Sequence, residues 1–172
     1  MILIDSSVFL KHFLEGDSRA HDFLKNAKDK AVICDVIVNE VIYILMKQYI
    51  VNKYDLKHYD AIDHLKKPDI FPEAFKNAFI FTKLITAIDC EVLPNARYFE
   101  MMDIMGKYNL LPNDALIVAT CRAYGISRVA TFDSDLKLWI LSSLLNYNSL
   151  SAHPDPFSQL SRAIPTTISC CS

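Results

Sequence analysis

Short, unbroken apolar runs that stop abruptly at acidic residues organise this chain. Residues 1–4 are Met, Ile, Leu and Ile, and Asp5 ends the run. Ser6 and Ser7 follow, and then an apolar stretch with Val8, Phe9, Leu10, Phe13 and Leu14. That order reads as a buried strand, a capped turn and a helix. Ala31–Cys34 repeats the pattern: it stops at Asp35, which is placed to cap a helix over residues 36–49. Glu91–Leu93 reads as a third strand, and residues 128–131 read as a fourth, with Asp133 and Asp135 just beyond it. Between them, apolar residues recur at helical spacing over 56–87, and Pro68 and Pro72 break that stretch into a helical hairpin. Further helices are expected at 96–107 and 113–124, the latter with Gly125 at its C-terminal cap. Strands of nearly continuous hydrophobicity, alternating with helices, predict a three-layer α/β/α fold around a mostly parallel sheet. Sites in such sheets lie at the C-terminal ends of the strands.

The chain has 172 residues, 52% of them hydrophobic, which suits one globular core. Its organisation is read as one domain over residues 1–145, followed by a tail over 146–172 rich in Ser, Pro, Thr and Asn. A formal net charge of −2 announces no global attraction to nucleic acid, so any RNA contact is expected to be local. The five cysteines form no CxxC pair, which points to reduced thiols and a cytoplasmic setting. No membrane segment is expected, because the apolar run over 36–46 is interrupted by Asn39 and Glu40 and falls short of the roughly 20 residues a bilayer span requires.

Four acids stand out, each with an ordinary structural explanation as its rival. Asp5 closes a strand, where an acid also serves as an N-cap. Glu40 shares its helix face with Val36, Ile37, Tyr43 and Ile44, so its carboxylate should point toward the core. A charge there needs a cation, a metal or a proton. Asp114 begins an apolar helix, where it complements the helix dipole behind Asn113 as a cap. Asp133 and Asp135 follow the last strand, where a solvated turn would also carry acids. Their joint placement on one sheet edge is what argues for chemistry. Two carboxylates about 4 Å apart repel by about 4 kcal/mol at an effective dielectric near 20, so such a cluster persists only with compensating cations or raised pKa values. Hard oxygen ligands select Mg²⁺ or Mn²⁺, ions that activate water in phosphodiester hydrolysis.

At these residues the chain resembles a PIN-domain ribonuclease of the single-domain, VapC-like toxin type. The resemblance is carried by Ile2-Leu3-Ile4-Asp5-Ser6-Ser7-Val8-Phe9, by Val36-Ile37-Val38-Asn39-Glu40-Val41, by Leu111-Pro112-Asn113-Asp114-Ala115-Leu116-Ile117-Val118-Ala119-Thr120 and by Val129-Ala130-Thr131-Phe132-Asp133-Ser134-Asp135-Leu136. It extends from residue 1 to about residue 145. It implies a metal-dependent endoribonuclease with Asp5, Glu40, Asp114 and Asp133 as metal ligands. Asp135 would be a second ligand or an alternative at the last position, with Ser7 and Thr131 as supporting hydroxyls. It also implies a homodimer, an RNA substrate and, for toxin members, a small antitoxin that fills the site. The chain departs from the family pattern at Leu136, where an aromatic is usual, and in the 146–172 tail.

Other residues are read as structural. Cys121 lies in an apolar helix with no base at a useful spacing, and is expected in the core. His12, His21, His58, His64 and His153 are scattered, and read as solvated rather than as ligands. Lys25, Lys28 and Lys30, and Lys47, Lys53 and Lys57, could line an RNA path, although charged faces usually meet water. Trp139 and the other aromatics read as core or interface. Three further functions compete. A haloacid-dehalogenase-type phosphatase would use the strand-end Asp as nucleophile, but it wants an acid two residues later, where Ser7 stands. A degenerate PIN scaffold could bind RNA or protein without cutting, yet every acid is present. A housekeeping RNA-processing nuclease would carry the same residues as a toxin.

Overall fold

The computed structural model of the chain describes residues 1–27, 29–134 and 136. Four strands are found among them: β1 (Ile2–Ile4), β2 (Ala31–Cys34), β3 (Glu91–Leu93) and β4 (Val129–Ala130). They form one parallel sheet in the order β3-β2-β1-β4. Ile2 stands opposite Ala31, Leu3 opposite both Val32 and Val129, and Cys34 opposite Leu93. β1 and β2 are buried along their whole length, which is why both read as unbroken apolar runs. The chain steps outward from β1 to β3 and returns as β4 on the far side of β1. The order therefore reverses between β1 and β4, and the crevice outside their C-terminal ends is where open sheets of this kind bind ligands.

Helices flank the sheet: α1 (Ser6–Leu10), α2 (Ser18–Asn26), α3 (Asp35–Tyr54), α4 (His58–Leu65), α5 (Phe71–Ala87), α6 (Tyr98–Tyr108) and α7 (Pro112–Ala123). A π-helical turn over Lys11–Glu15 continues α1 and ends at Gly16, whose φ of 63° suits glycine. The expected break between two helices is present: α4 and α5 are separated by residues 66–70, with Pro72 in the first turn of α5. Both pack against the long α3. Ala74, Ala78 and Phe81 form the inward face of α5, and Phe81 meets Phe9 edge to face with ring centroids 5.0 Å apart.

Three expected helix starts differ. Asp35 does not cap α3; it is the first helical residue, and the cap comes from far along the chain. Asn95 Oδ1 accepts the Val36 N–H at 3.1 Å, and the Asn95 N–H donates to Asp35 Oδ2 at 3.3 Å. Asn113 likewise does not cap α7, because Leu111 takes that position and Pro112 fills the first turn. α6 begins at Tyr98 rather than at residue 96, since the Ala96 N–H donates to the buried Thr120 Oγ1 at 3.0 Å. The end of α7 follows expectation. Gly125, at φ +64°, lets its own N–H reach Arg122 O and lets the Ile126 N–H reach Cys121 O at 2.8 Å, a Schellman closure.

Candidate active site

Asp5 lies at the end of β1, 2% exposed, and its N–H is held by Ala130 O of β4 at 2.9 Å. Its Oδ2 accepts three donors: Ser7 Oγ at 2.5 Å, Thr131 Oγ1 at 2.8 Å and the Ser7 N–H at 3.3 Å. The last of these makes Asp5 the N-cap of α1, so its capping role and its place in the site coexist. Oδ1 receives only Ser6 Oγ at 3.4 Å, which leaves it the less committed oxygen.

The two hydroxyls that orient Asp5 also shape the loop after β4. Ser7 Oγ accepts the Phe132 N–H at 2.9 Å, and Thr131 Oγ1 accepts the Asp133 N–H at 2.9 Å. Each hydroxyl spends its single proton on Asp5 and its lone pairs on the loop. The backbone of Asp133 is thereby tied to the carboxylate of Asp5 through one side chain.

Glu40 projects from α3, half-buried. Its helix face is only partly the apolar one expected: Ile37 and Val36 are buried, but Tyr43 is 47% exposed. Glu40 therefore stands where the core meets a surface cleft. Burial raises its carboxyl above the ordinary value, a Ser6 hydrogen bond opposes that, and the charges of Asp5, Asp114 and Asp133 raise it further. Charges at the end of β1, in the first turn of α7 and in the loop after β4 thus reach Glu40 on α3, though sequence separates them widely. Among the described residues, no three His, Cys, Asp or Glu side chains stand close enough to form a ready-made metal cage. The acids are near enough for their charge to reach Glu40 without forming such a cage.

Cys121 is buried in α7 as expected, and burial pushes its thiol up to about 12, far from a nucleophile's range. Several lysines read as an RNA path make other contacts. Lys30 pairs with Glu91, and Lys53 with Glu73. Lys47 instead reaches over the Tyr43 ring, 5.8 Å from its centroid. His12 and His21 stack on each other with ring centroids 5.4 Å apart. Two cations that sequence reading passed over, Lys11 and Arg19, lie 5.7 and 5.2 Å from the Phe132 ring, next to Asp133 in the chain. No local pattern marks them, because the pairing spans more than 110 residues. Asp135, Lys28, Trp139, His153, the His58 side chain and the 146–172 tail lie outside the described residues.

A parallel sheet whose switch point gathers acids from β1, α3, α7 and β4 is the arrangement expected of the PIN class, and residues 2–138 match the PIN domain family. The chain belongs to that family. Two relatives come from Methanocaldococcus jannaschii. Ribonuclease VapC2 is 32% identical over 141 residues, covering 79% of this chain and 87% of the relative. Ribonuclease VapC6 is 30% identical over 155 residues, covering 79% and 90%. The fold is shared with the crystal structure of VapC20 from Mycobacterium tuberculosis, a sarcin-ricin loop cleaving toxin: the TM-score is 0.53 at 16% identity, covering 81% of this chain and 95% of that one.

Proposed function

We propose that this chain is a divalent-metal-dependent endoribonuclease, the toxin of a toxin–antitoxin pair, with Asp5, Glu40, Asp114 and Asp133 as its catalytic carboxylates and metal ligands and Asp135 as a second or alternative ligand at the last position. The observation that carries the reading is the charge of Asp5, Asp114 and Asp133 reaching Glu40 at the switch point, with Asp5 pinned by Ser7 and Thr131. The family and the two relatives named ribonucleases support the substrate.

The donor set suits Mg²⁺ or Mn²⁺: it is all oxygen, with no His or Cys, and a cation would relieve the charge that Asp5, Asp114 and Asp133 place on Glu40. Acids that form no closed cage among the described residues fit as well. Mg²⁺ commonly keeps several waters and takes only one or two direct carboxylates, so a closed cage is not required. A cation bound there would supply Lewis-acid activation of water and neutralise charge on the phosphate. The chain's own part is positional: Asp5 presents Oδ1 from a fixed strand end, and Thr131 holds the Asp133 backbone against it. Glu40, with its raised affinity for a proton, is placed to accept one from the attacking water.

Residues 1–145 are taken as the nuclease domain, with 146–172 as an appendage, and a homodimer and a small protein antitoxin are the proposed partners. No described helix is long and apolar enough to cross a membrane. The test is a nuclease assay in Mn²⁺ with Asp5→Asn and Asp114→Asn, alongside calorimetric Mn²⁺ titration. Loss of cutting in both variants is expected; undiminished cutting by both would sink the assignment. A non-cutting scaffold, the competing reading, would give no binding heat.

A further inference from the structure

Beside Glu40 the surface opens into a cleft of about 480 Å³, lined by Val36, Asn39, Glu40, Tyr43, Ile44 and Asn113. Its walls come from the first turns of α3 and the start of α7, so it adjoins both Glu40 and Asp114. Three features distinguish it from an ordinary surface dimple. Tyr43 offers a half-exposed aromatic ring to the cleft. Asn39 and Asn113, both exposed, bring carboxamides that can donate and accept. Lys47 holds a cation over the Tyr43 ring at 5.8 Å.

We infer that this cleft receives the nucleobase neighbouring the scissile phosphate, with Tyr43 as its stacking platform and Asn39 and Asn113 meeting the base edge. The inference rests on the ribonuclease reading and deepens it. Single-stranded RNA is recognised by aromatic stacking and by hydrogen bonds to unpaired base edges, and every base offers a π-face. The volume lies within the range of small-molecule sites, room enough for a nucleotide. Charge points the same way. Acidic side chains repel phosphate, so an ammonium near the stacking ring helps hold the backbone, and Lys47, over the Tyr43 ring, supplies one. An apolar peptide would leave the Lys47 ammonium and both carboxamides without partners.

The experiment has two arms, each on the full chain. The first measures binding of a short single-stranded RNA carrying 2-aminopurine to the non-cutting Asp5→Asn protein. Fluorescence should quench on binding; adding Tyr43→Ala should remove the quench and weaken Kd by roughly 5- to 150-fold, the span of one base–aromatic stack. Tyr43→Phe should restore both. The second arm compares KM of the otherwise wild-type enzyme for RNA with and without an abasic nucleotide beside the cut. The wild type should favour the intact strand, and Tyr43→Ala should erase that preference. Circular dichroism of Tyr43→Ala checks that the fold is kept. Unchanged quench and Kd in Tyr43→Ala overturn the inference while leaving ribonuclease activity standing, and assign the cleft to a protein segment. Tyr43-dependent quenching by a protein that cuts no RNA in its wild-type form overturns the ribonuclease reading and keeps the base pocket.

Discussion

Thr131 Oγ1 donates to Asp5 Oδ2 at 2.8 Å across 126 positions of sequence, and the same oxygen accepts the Asp133 N–H two residues on. One hydroxyl therefore sets both the direction of the first acid and the backbone of the last. Thr131→Val keeps the shape and removes both bonds. Cutting is expected to fall by about 10- to 100-fold, the usual effect of losing a group that orients a metal ligand. Thr131→Ser should recover most of it. Equal activity of the Val and Ser variants would refute the orienting role.

Glu40 makes metal-free stability depend on pH. Its carboxyl is raised above the ordinary 4.5 by burial first and then by Asp5, Asp114 and Asp133. The folded state keeps that proton to higher pH than the unfolded chain does. The benefit is therefore full below the unfolded value and is lost as pH rises through the folded one. In EDTA, Glu40→Gln should raise Tm at pH 7 and change it little at pH 4. A Tm difference independent of pH, followed by thermal denaturation, would contradict this.

The cap of α3 is supplied by Asn95, whose side chain accepts the Val36 N–H at 3.1 Å. Asn95→Ala should cost about 1 kcal/mol, as loss of an N-cap does. Urea denaturation gives the number, and a change below a few tenths would mean that the cap is redundant.

The centre of the core is equally open to test. Phe81 is fully buried and meets Phe9 edge to face. Phe81→Ala should destabilise by about 3–5 kcal/mol, while Phe81→Leu should cost less because it leaves a smaller void. Matching losses for the two would show that the site collapses around either residue.

Much of this was legible in the linear sequence because it depends on short-range physics. β1 and β2 are buried on both faces, so they read as continuous apolar runs ending at Asp5 and Asp35. Gly125 closes α7 because a left-handed residue is needed there, and Pro68 and Pro72 mark the break between α4 and α5. Glu40 drew attention as an acid on an apolar helix face, and it is indeed the carboxyl whose proton affinity its neighbours raise.

The remainder was decided by contacts between distant segments, which no local pattern encodes. Asp35 and Asn113 look like caps to any propensity argument, yet Cys34 and Leu111 hold those positions, and the side-chain acceptor for α3 comes from distant Asn95. Helical spacing put Tyr43 with the core residues around Glu40, but whether that face meets a neighbour or a cleft depends on how α3 sits against the start of α7. Composition and periodicity by themselves determined a parallel α/β chain with acids at its strand ends. Only the tertiary structure brought distant acids within reach of one another's charge, because the reversal of strand order between β1 and β4 sets Thr131 against Asp5, and the docking of α3 and α7 lets Asp5, Asp114 and Asp133 act on Glu40.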